Sequence, residues 1–250
     1  MRSTDFLTDA DYIPKGPNWI RIDDIDYWQE TLPSLATRRW APTARHTGRT
    51  RIPAITGAPG AVRAVDCESL QEGNVAVVLL ARRDIVDLVE QPPAVKYFDK
   101  VEQCWREHTF DFLATMANGW KIAIANRPQK RSEEVERIIK AIAEQGCTLA
   151  DAYTVVTDAD LPKNLIRNAE LILAVRRDHD RSADKKIRDI VGTLNGAVTI
   201  ETLVTASGLA GKGFRAVVRL IDEGEIEIER NIMIDFPALV RHSASRRGNQ

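Results

Sequence analysis

The sequence predicts an α/β domain followed by a small helical module. Three observations lead there. Between 66 and 177, short apolar runs bounded by Gly, Pro and Asn alternate with stretches of helical periodicity. A polar segment, 178–184, then interrupts the pattern. After it come three helical stretches and two short isoleucine-rich runs. A chain of 250 residues accommodates one large domain or two modest ones. The expected division is an arm at 1–60, a main domain at 61–178 and a small domain at 185–241.

The arm carries many Pro, Gly, Thr and Trp residues without sustained periodicity and reads as extended chain with short local elements. Its charge is lopsided: Asp5, Asp9, Asp11, Asp23, Asp24 and Asp26 come first, then Arg38, Arg39, Arg45, Arg49 and Arg51 with no acid between them. Trp19, Trp28 and Trp40 are expected to anchor this arm on the main domain.

Residues 66–80 read as a helix with Leu70, Val77 and Leu80 near one face. Segments 86–89 and 95–98 are short strands, separated by the breaker Gln91-Pro92-Pro93. A strand at 109–116, a hairpin turn at Asn118-Gly119 and a returning strand at 121–125 follow. Ser132 caps a helix running to about 145, with Glu133 and Glu134 in its first turn and Gly146 closing it. Segment 153–157 reads as a buried strand and 163–177 as another helix. Strands with flanking helices make an α/β core of about 120 residues.

In the last part, 187–194 is a helix, Thr199 caps a second, Ser207-Gly208 turns, and 211–223 is a third helix. Gly224 then opens a strand at 226–228, which Arg230-Asn231 turns into 232–234. Three helices and a hairpin in that order describe a winged helix-turn-helix.

Hydrophobic content of 44% and charge of 28% are ordinary for a globular protein. A net charge of −1 excludes a whole-chain polyelectrolyte, so any nucleic-acid binding must come from local patches. Cys67, Cys104 and Cys147 show no CxxC spacing and no clustered histidines, which speaks against zinc and disulfides and for a reduced, cytoplasmic setting. No apolar run reaches membrane-spanning length, and the acidic N-terminus does not resemble a signal peptide.

The most informative stretch is His108-Thr-Phe-Asp-Phe-Leu113 followed by Ile122-Ala-Ile-Ala-Asn-Arg-Pro128. Hydrolysing a phosphodiester with Mg²⁺ needs hard oxygen ligands that hold the ion against the phosphate, where it activates water and stabilises the leaving oxygen. A compact way to build this puts one acid at a strand end, a second ligand on the neighbouring strand and a lysine two residues later, with a further acid on a preceding helix. Strand alternation aims the last pair at one face. Glu72 and Asp111 suit the two acid roles, the alternatives being a solvated helix-face acid for Glu72 and, for Asp111, a turn cap or a partner of a core-edge arginine.

Glu68-Ser-Leu70 with Glu72, Glu90-Gln91-Pro92, Thr109-Phe-Asp111-Phe-Leu113, Gly119 and Ile122-Ala-Ile124 through Pro128 together resemble the TnsA-type endonucleases of transposons. Thr154-Val-Val-Thr157-Asp158, Asn168-Ala169 and the C-terminal segment extend the resemblance, over roughly 66–236 in all. It implies a restriction-endonuclease-like mixed sheet flanked by helices, then a winged helix. It also implies a Mg²⁺ or Mn²⁺ centre, double-stranded DNA as partner, and transposase-like and AAA-type ATPase proteins alongside. Carried over, Glu72 and Asp111 take the metal-binding acid positions, with Glu68 a neighbouring acid one turn earlier. Ala125 stands where the family has Glu or Gln, and Arg127 where it has its catalytic lysine. The backbone carbonyl of Asn126 remains as a metal ligand, and Gln129, Lys130 or Glu102 as compensating groups. Loss of the carboxylate and the lysine together implies a weakened or inactive centre, acting as a DNA-binding partner of recombination proteins. An active endonuclease and a transcriptional regulator are the alternatives.

The expected DNA contacts are Arg45, Arg49 and Arg51 in the arm, Lys130 after the second strand, and Lys212, Arg215 and Arg219 on the third C-terminal helix. Arg215 and Arg219 lie one turn apart. Against that role, Glu223, Glu225, Glu227 and Glu229 make the start of the wing acidic, which suits protein docking equally well.

Overall fold

A computed structural model describes residues 18–22, 25–37, 49–57, 61–176 and 178–243. The chain divides between Pro162 and Lys163 into two compact units. This differs from the expected boundary near 178, because the helix at Lys163–Val175 packs with the C-terminal helices.

The first unit opens with a hairpin, β1 (Trp19–Ile22) and β2 (Ile25–Trp28). Trp19 and Trp28 face each other across it with ring centroids 5.3 Å apart, and both are exposed, so they brace the hairpin rather than anchor it. Trp40 lies outside the described residues. Other residues of the arm make the attachment. The Leu32 N–H donates to Val62 O at 2.8 Å, Ser34 Oγ donates to the Glu90 carboxylate, and Thr37 Oγ1 donates to Gln91 O at 2.8 Å.

β3 (Thr50–Ile55) and β4 (Val62–Cys67) form an antiparallel pair. Every residue of β4 is buried, which corrects the expected helix start: Asp66 and Cys67 end a strand. α1 (Leu70–Ala81) begins only after Ser69, whose side chain accepts the Glu72 N–H. The helix buries Gly73, Val75, Ala76, Leu79 and Leu80, while Leu70, at its first position, points outward.

β5 (Ile85–Glu90) follows, then a hairpin of β6 (Val95–Asp99) and β7 (Cys104–His108), whose second strand had not been expected. β7 is exposed along nearly its whole length, so the alternation that marks a half-buried strand is missing from its sequence. β8 (Phe112–Met116) and β9 (Lys121–Asn126) form the hairpin expected at Asn118-Gly119, with Gly119 at φ 88°, a conformation glycine adopts without penalty. α2 (Ser132–Glu144) and β10 (Ala152–Val156) complete the unit.

The order β10-β9-β8-β5 makes a four-stranded mixed sheet, parallel between β9 and β10 and antiparallel elsewhere. β10 is half-buried at the sheet edge rather than fully buried as expected. α1 packs against β5 and β9, and α2 against β10. The unit is thus α/β with a mixed sheet and flanking helices. Val135, Ile139 and Ile142 of α2 close over Ala123 and Ala125 of β9 together with Phe110 and Tyr97.

The second unit comprises α3 (Lys163–Val175), α4 (Arg181–Val191), β11 (Ala197–Thr199), α5 (Ile200–Ser207), α6 (Ala210–Asp222), β12 (Ile226–Ile228) and β13 (Leu239–His242). Its three strands form an antiparallel sheet in the order β11-β13-β12. The partner of β12 is therefore 239–242, not the expected 232–234. Side chains of α3 explain the difference: Asn168 donates to Ile232 O at 2.8 Å and accepts the Ile234 N–H at 2.8 Å, and Asn164 donates to Asn231 O at 3.0 Å. Backbone groups satisfied in this way have no need of a strand ladder.

From Gly213 to Leu220 α6 is buried on every side, with α3, α4, α5 and β12 packed around the helix. Phe214, Val217, Val218 and Leu220 meet Ile187, Ile200 and Leu203 in one core, each apolar side chain contributing about 1.5–3 kcal/mol by leaving water. Gly213 permits the close approach of α5, since a Cβ there would lie 2.7 Å from Ser207 Oγ. No helix among the described residues is long and apolar enough to cross a membrane.

Candidate functional site

Asp111 sits immediately before β8, held by its backbone between two neighbours. Its N–H donates to Ile124 O of β9 at 3.0 Å, and its carbonyl accepts the Gln91 N–H at the end of β5 at 2.9 Å. The side chain is thereby fixed at the point where β9 ends. Oδ2 of Asp111 accepts the Asn126 N–H at 2.6 Å and Nη1 of Arg127 at 3.0 Å. The same Nη1 donates to Asn126 O at 2.6 Å. One guanidinium nitrogen therefore bridges the carboxylate and the carbonyl that were both expected as metal ligands. The Arg127 N–H donates to Val156 O at 3.1 Å, so β10 fixes the backbone from which the guanidinium extends.

Burial pushes the Asp111 carboxyl up to about 6. The Asn126 N–H and Arg127 oppose the rise, and the Glu72 charge adds to it. His108 adjoins this group. Its ring meets Phe110 edge-on at 4.8 Å, and burial, followed by the Arg127 charge, brings its pKa down to about 4. His108 opens the stretch that drew attention in the sequence, but nothing in the pattern gave it a role. The only available signal was its spacing three residues before Asp111.

Glu72 is occupied by its own helix. Ser69 Oγ donates to Glu72 Oε1 at 3.0 Å, and Glu72 Oε2 accepts the Glu68 N–H at 2.8 Å. This is a variant of the capping box, with the acid reaching one residue beyond the cap. The Ser-x-x-Glu spacing of Ser69 and Glu72 is the sequence signal for it. Glu72, Asp111, Asp66 and Glu90 all lie close enough to the buried Cys67 to raise its thiol pKa beyond what burial alone does. Besides Asp111, which Arg127 holds, two of these acids have cationic partners. Asp66 takes both Nε and Nη2 of Arg51, at 2.6 and 2.8 Å, and the fully buried Glu90 pairs with Arg63 at 3.3 Å.

Asp111 Oδ1 and the buried Asn126 Oδ1 are the oxygens left over, the latter without a hydrogen-bond partner among the described residues. No group of three or more His, Cys, Asp or Glu among the described residues is arranged to hold a metal. The three expected ligands do not fit a divalent ion as they stand. Glu72 is engaged in the cap, and Asp111 Oδ2 and Asn126 O are engaged with Arg127. An ion on Asp111 some 5 Å from the guanidinium would meet roughly 6–7 kcal/mol of repulsion at an effective dielectric constant near 20. Ala125, at the position where the resemblance implies Glu or Gln, is fully buried in the apolar cluster beneath α2. Of the compensating groups, Glu102 pairs with Arg106 in the β6–β7 hairpin, and the Gln129 backbone binds Asp158 at 2.8 Å.

The expected DNA contacts fare unequally. Lys130, in a short 3-10 turn after β9, is exposed, as are Arg49 and Lys212. Arg51 is exposed but has its fork committed to Asp66. Arg45 lies outside the described residues. Arg215 and Arg219 need correction: they are 4% and 3% exposed, with Arg215 paired to Asp178 at 2.9 Å and Arg219 to Asp184 at 2.7 Å. Neither can reach a phosphate, because α6 is enclosed around both positions. Three of the acids expected at a wing are partnered, Glu223 and Glu225 with Arg188 at 3.4 and 2.6 Å and Glu227 with Arg241 at 2.8 Å.

No protein-family model matches this chain, and no curated protein matches it significantly.

Proposed function

We propose that this protein is a DNA-binding member of the TnsA-like, restriction-endonuclease-fold group whose nuclease centre is weakened or inactive. In this reading it serves a mobile element as a partner of transposase-like and AAA-type ATPase proteins. The observation that carries the proposal is the meeting of Asp111, Asn126 and Arg127 where β8 begins and β9 ends, beside Glu72 of the preceding helix. That is the frame a phosphodiester site requires, with a guanidinium in place of the lysine.

Arg127 is anchored through Nη1, while its Nε and Nη2 have no partner among the described residues and its side chain is 35% exposed. A guanidinium presented in this way offers a planar fork to a backbone phosphate. Lys130 lies three residues further along the same segment and supplies a second positive charge. The second unit is read as a winged helix because its elements after α3 run helix, strand, helix, helix, strand, strand. With Arg215 and Arg219 buried, Lys212 is its remaining exposed candidate of the three for a phosphate contact.

Plasmid nicking and duplex binding, measured with Mg²⁺ or Mn²⁺ on the native protein, Asp111→Ala and Arg127→Ala, test this reading. We expect duplex binding at low salt, no cleavage by the native protein, and binding reduced about tenfold by Arg127→Ala. Native cleavage that Asp111→Ala abolishes would establish the alternative, an active metal-dependent endonuclease. Absence of DNA binding at low salt would overturn the proposal. Restoring the family carboxylate by Ala125→Glu needs a melting control, since a charge placed in that apolar cluster costs several kcal/mol.

A further inference from the structure

The Arg127 contacts carry a consequence for the chemistry of the centre. Nη1 lies 3.0 Å from Asp111 Oδ2 and 2.6 Å from Asn126 O, the two oxygens that a divalent ion in such a frame would use. A guanidinium is protonated at every accessible pH, so this charge does not leave as a lysine's can. The backbone of Arg127 is tied to β10 and followed by Pro128, which restricts φ and stiffens the segment that delivers the side chain. Charge balance points the same way. Asp111 is neutralised by Arg127, and the carboxylate of Glu72 is spent on the Ser69 hydroxyl and the Glu68 N–H.

We propose that Arg127 is the built-in cation of this centre, standing where a divalent ion would bind and excluding it, so that the centre engages an anionic ligand without metal. This deepens the nuclease-fold reading and rests on it for the comparison with a metal site. The inference is tested by cation binding alone.

The experiment measures Mn²⁺ binding by water-proton relaxation, with thermal melts in millimolar Mn²⁺ alongside. The proteins are the native chain, Asp111→Asn, Arg127→Gln and the double variant Arg127→Gln/Asp111→Asn. Native protein and Asp111→Asn are expected to behave alike, with no saturable site tighter than about 1 mM. Arg127→Gln frees Asp111 Oδ2 and the Asn126 carbonyl, so it should gain one Mn²⁺ site and a Tm rise of a few degrees, roughly what ligand at tenfold over Kd supplies. The double variant should lose both gains.

A saturable Mn²⁺ site in the native protein that Asp111→Asn removes would overturn the inference, as would a folded Arg127→Gln that gains no site. Should Arg127→Gln fail to fold, the native and Asp111→Asn arms still decide. Absence of DNA binding would sink the proposed function without moving these readings, and a native Mn²⁺ site would sink the inference without touching DNA binding.

Discussion

Arginines close to carboxylates occur in both units, and their surroundings give them opposite meanings. At the end of β9, Arg127 is partly exposed and paired to Asp111 through one nitrogen, with no partner for the rest of its fork among the described residues. On α6, Arg215 and Arg219 are enclosed and their guanidinium groups satisfy Asp178 and Asp184. A basic residue is a candidate ligand only where part of it stays wet. Where it is buried, it is a counter-ion and its loss is felt as instability.

The largest effect should come from breaking the buried member of this comparison. Arg219→Ala leaves Asp184, itself only 15% exposed, without its partner, and should cost about 3–5 kcal/mol in urea unfolding. Equal stability to the native protein would show that α6 does not depend on this pair.

A second test uses pH on the exposed member. Asp111 is raised from 3.8 to about 6, so its favourable contribution is present below about pH 3.8 and lost as pH rises through about 6. His108 is lowered from 6.5 to about 4, so its contribution is present above 6.5 and lost as pH falls through 4. Each spans roughly 3 kcal/mol, and between pH 4 and 6 they oppose each other. Relative to the native protein, His108→Gln should therefore lose stability as pH rises from 4 to 6. Asp111→Asn should gain stability over the same interval. Denaturant unfolding at pH 4, 5, 6 and 7 reads both slopes, and slopes of the same sign would contradict the assignment.

The smallest effect concerns Glu72. Ser69→Ala removes the hydroxyl that caps α1 and should cost about 1 kcal/mol in thermal unfolding, without changing Mn²⁺ binding. A cost near zero would mean that the Glu72 carboxylate is not needed at the cap and is available elsewhere.

Much of the fold was legible because local signals agreed with it. Asn118-Gly119 fixed the β8–β9 hairpin, and Thr199 and Gly208 bound α5 as expected. Reading failed where side chains of one element satisfied the backbone of another, as Asn164 and Asn168 do for 231–234. It also fails where a buried strand runs directly into a capped helix, since β4, buried throughout with Arg63 and Asp66 among its apolar residues, has no period of two to distinguish it from helix. At the site, the sequence points to both Asp111 and Arg127 and allows an arginine as the partner of Asp111. That Arg127 is this partner depends on the β8–β9 register.

The sequence by itself determined which residue types are present at the centre: an acid before β8, an alanine and an arginine at the end of β9, and a serine–glutamate pair at the start of α1. Residue identity and short-range spacing are written in the chain directly. The tertiary structure decided what each one does, because burial and charge pairing are set by neighbours distant in sequence. Enclosure by α3, α4, α5 and β12 turned Arg215 and Arg219 into internal counter-ions. Strand register brought Nη1 of Arg127 onto Asp111 Oδ2 and the Asn126 carbonyl.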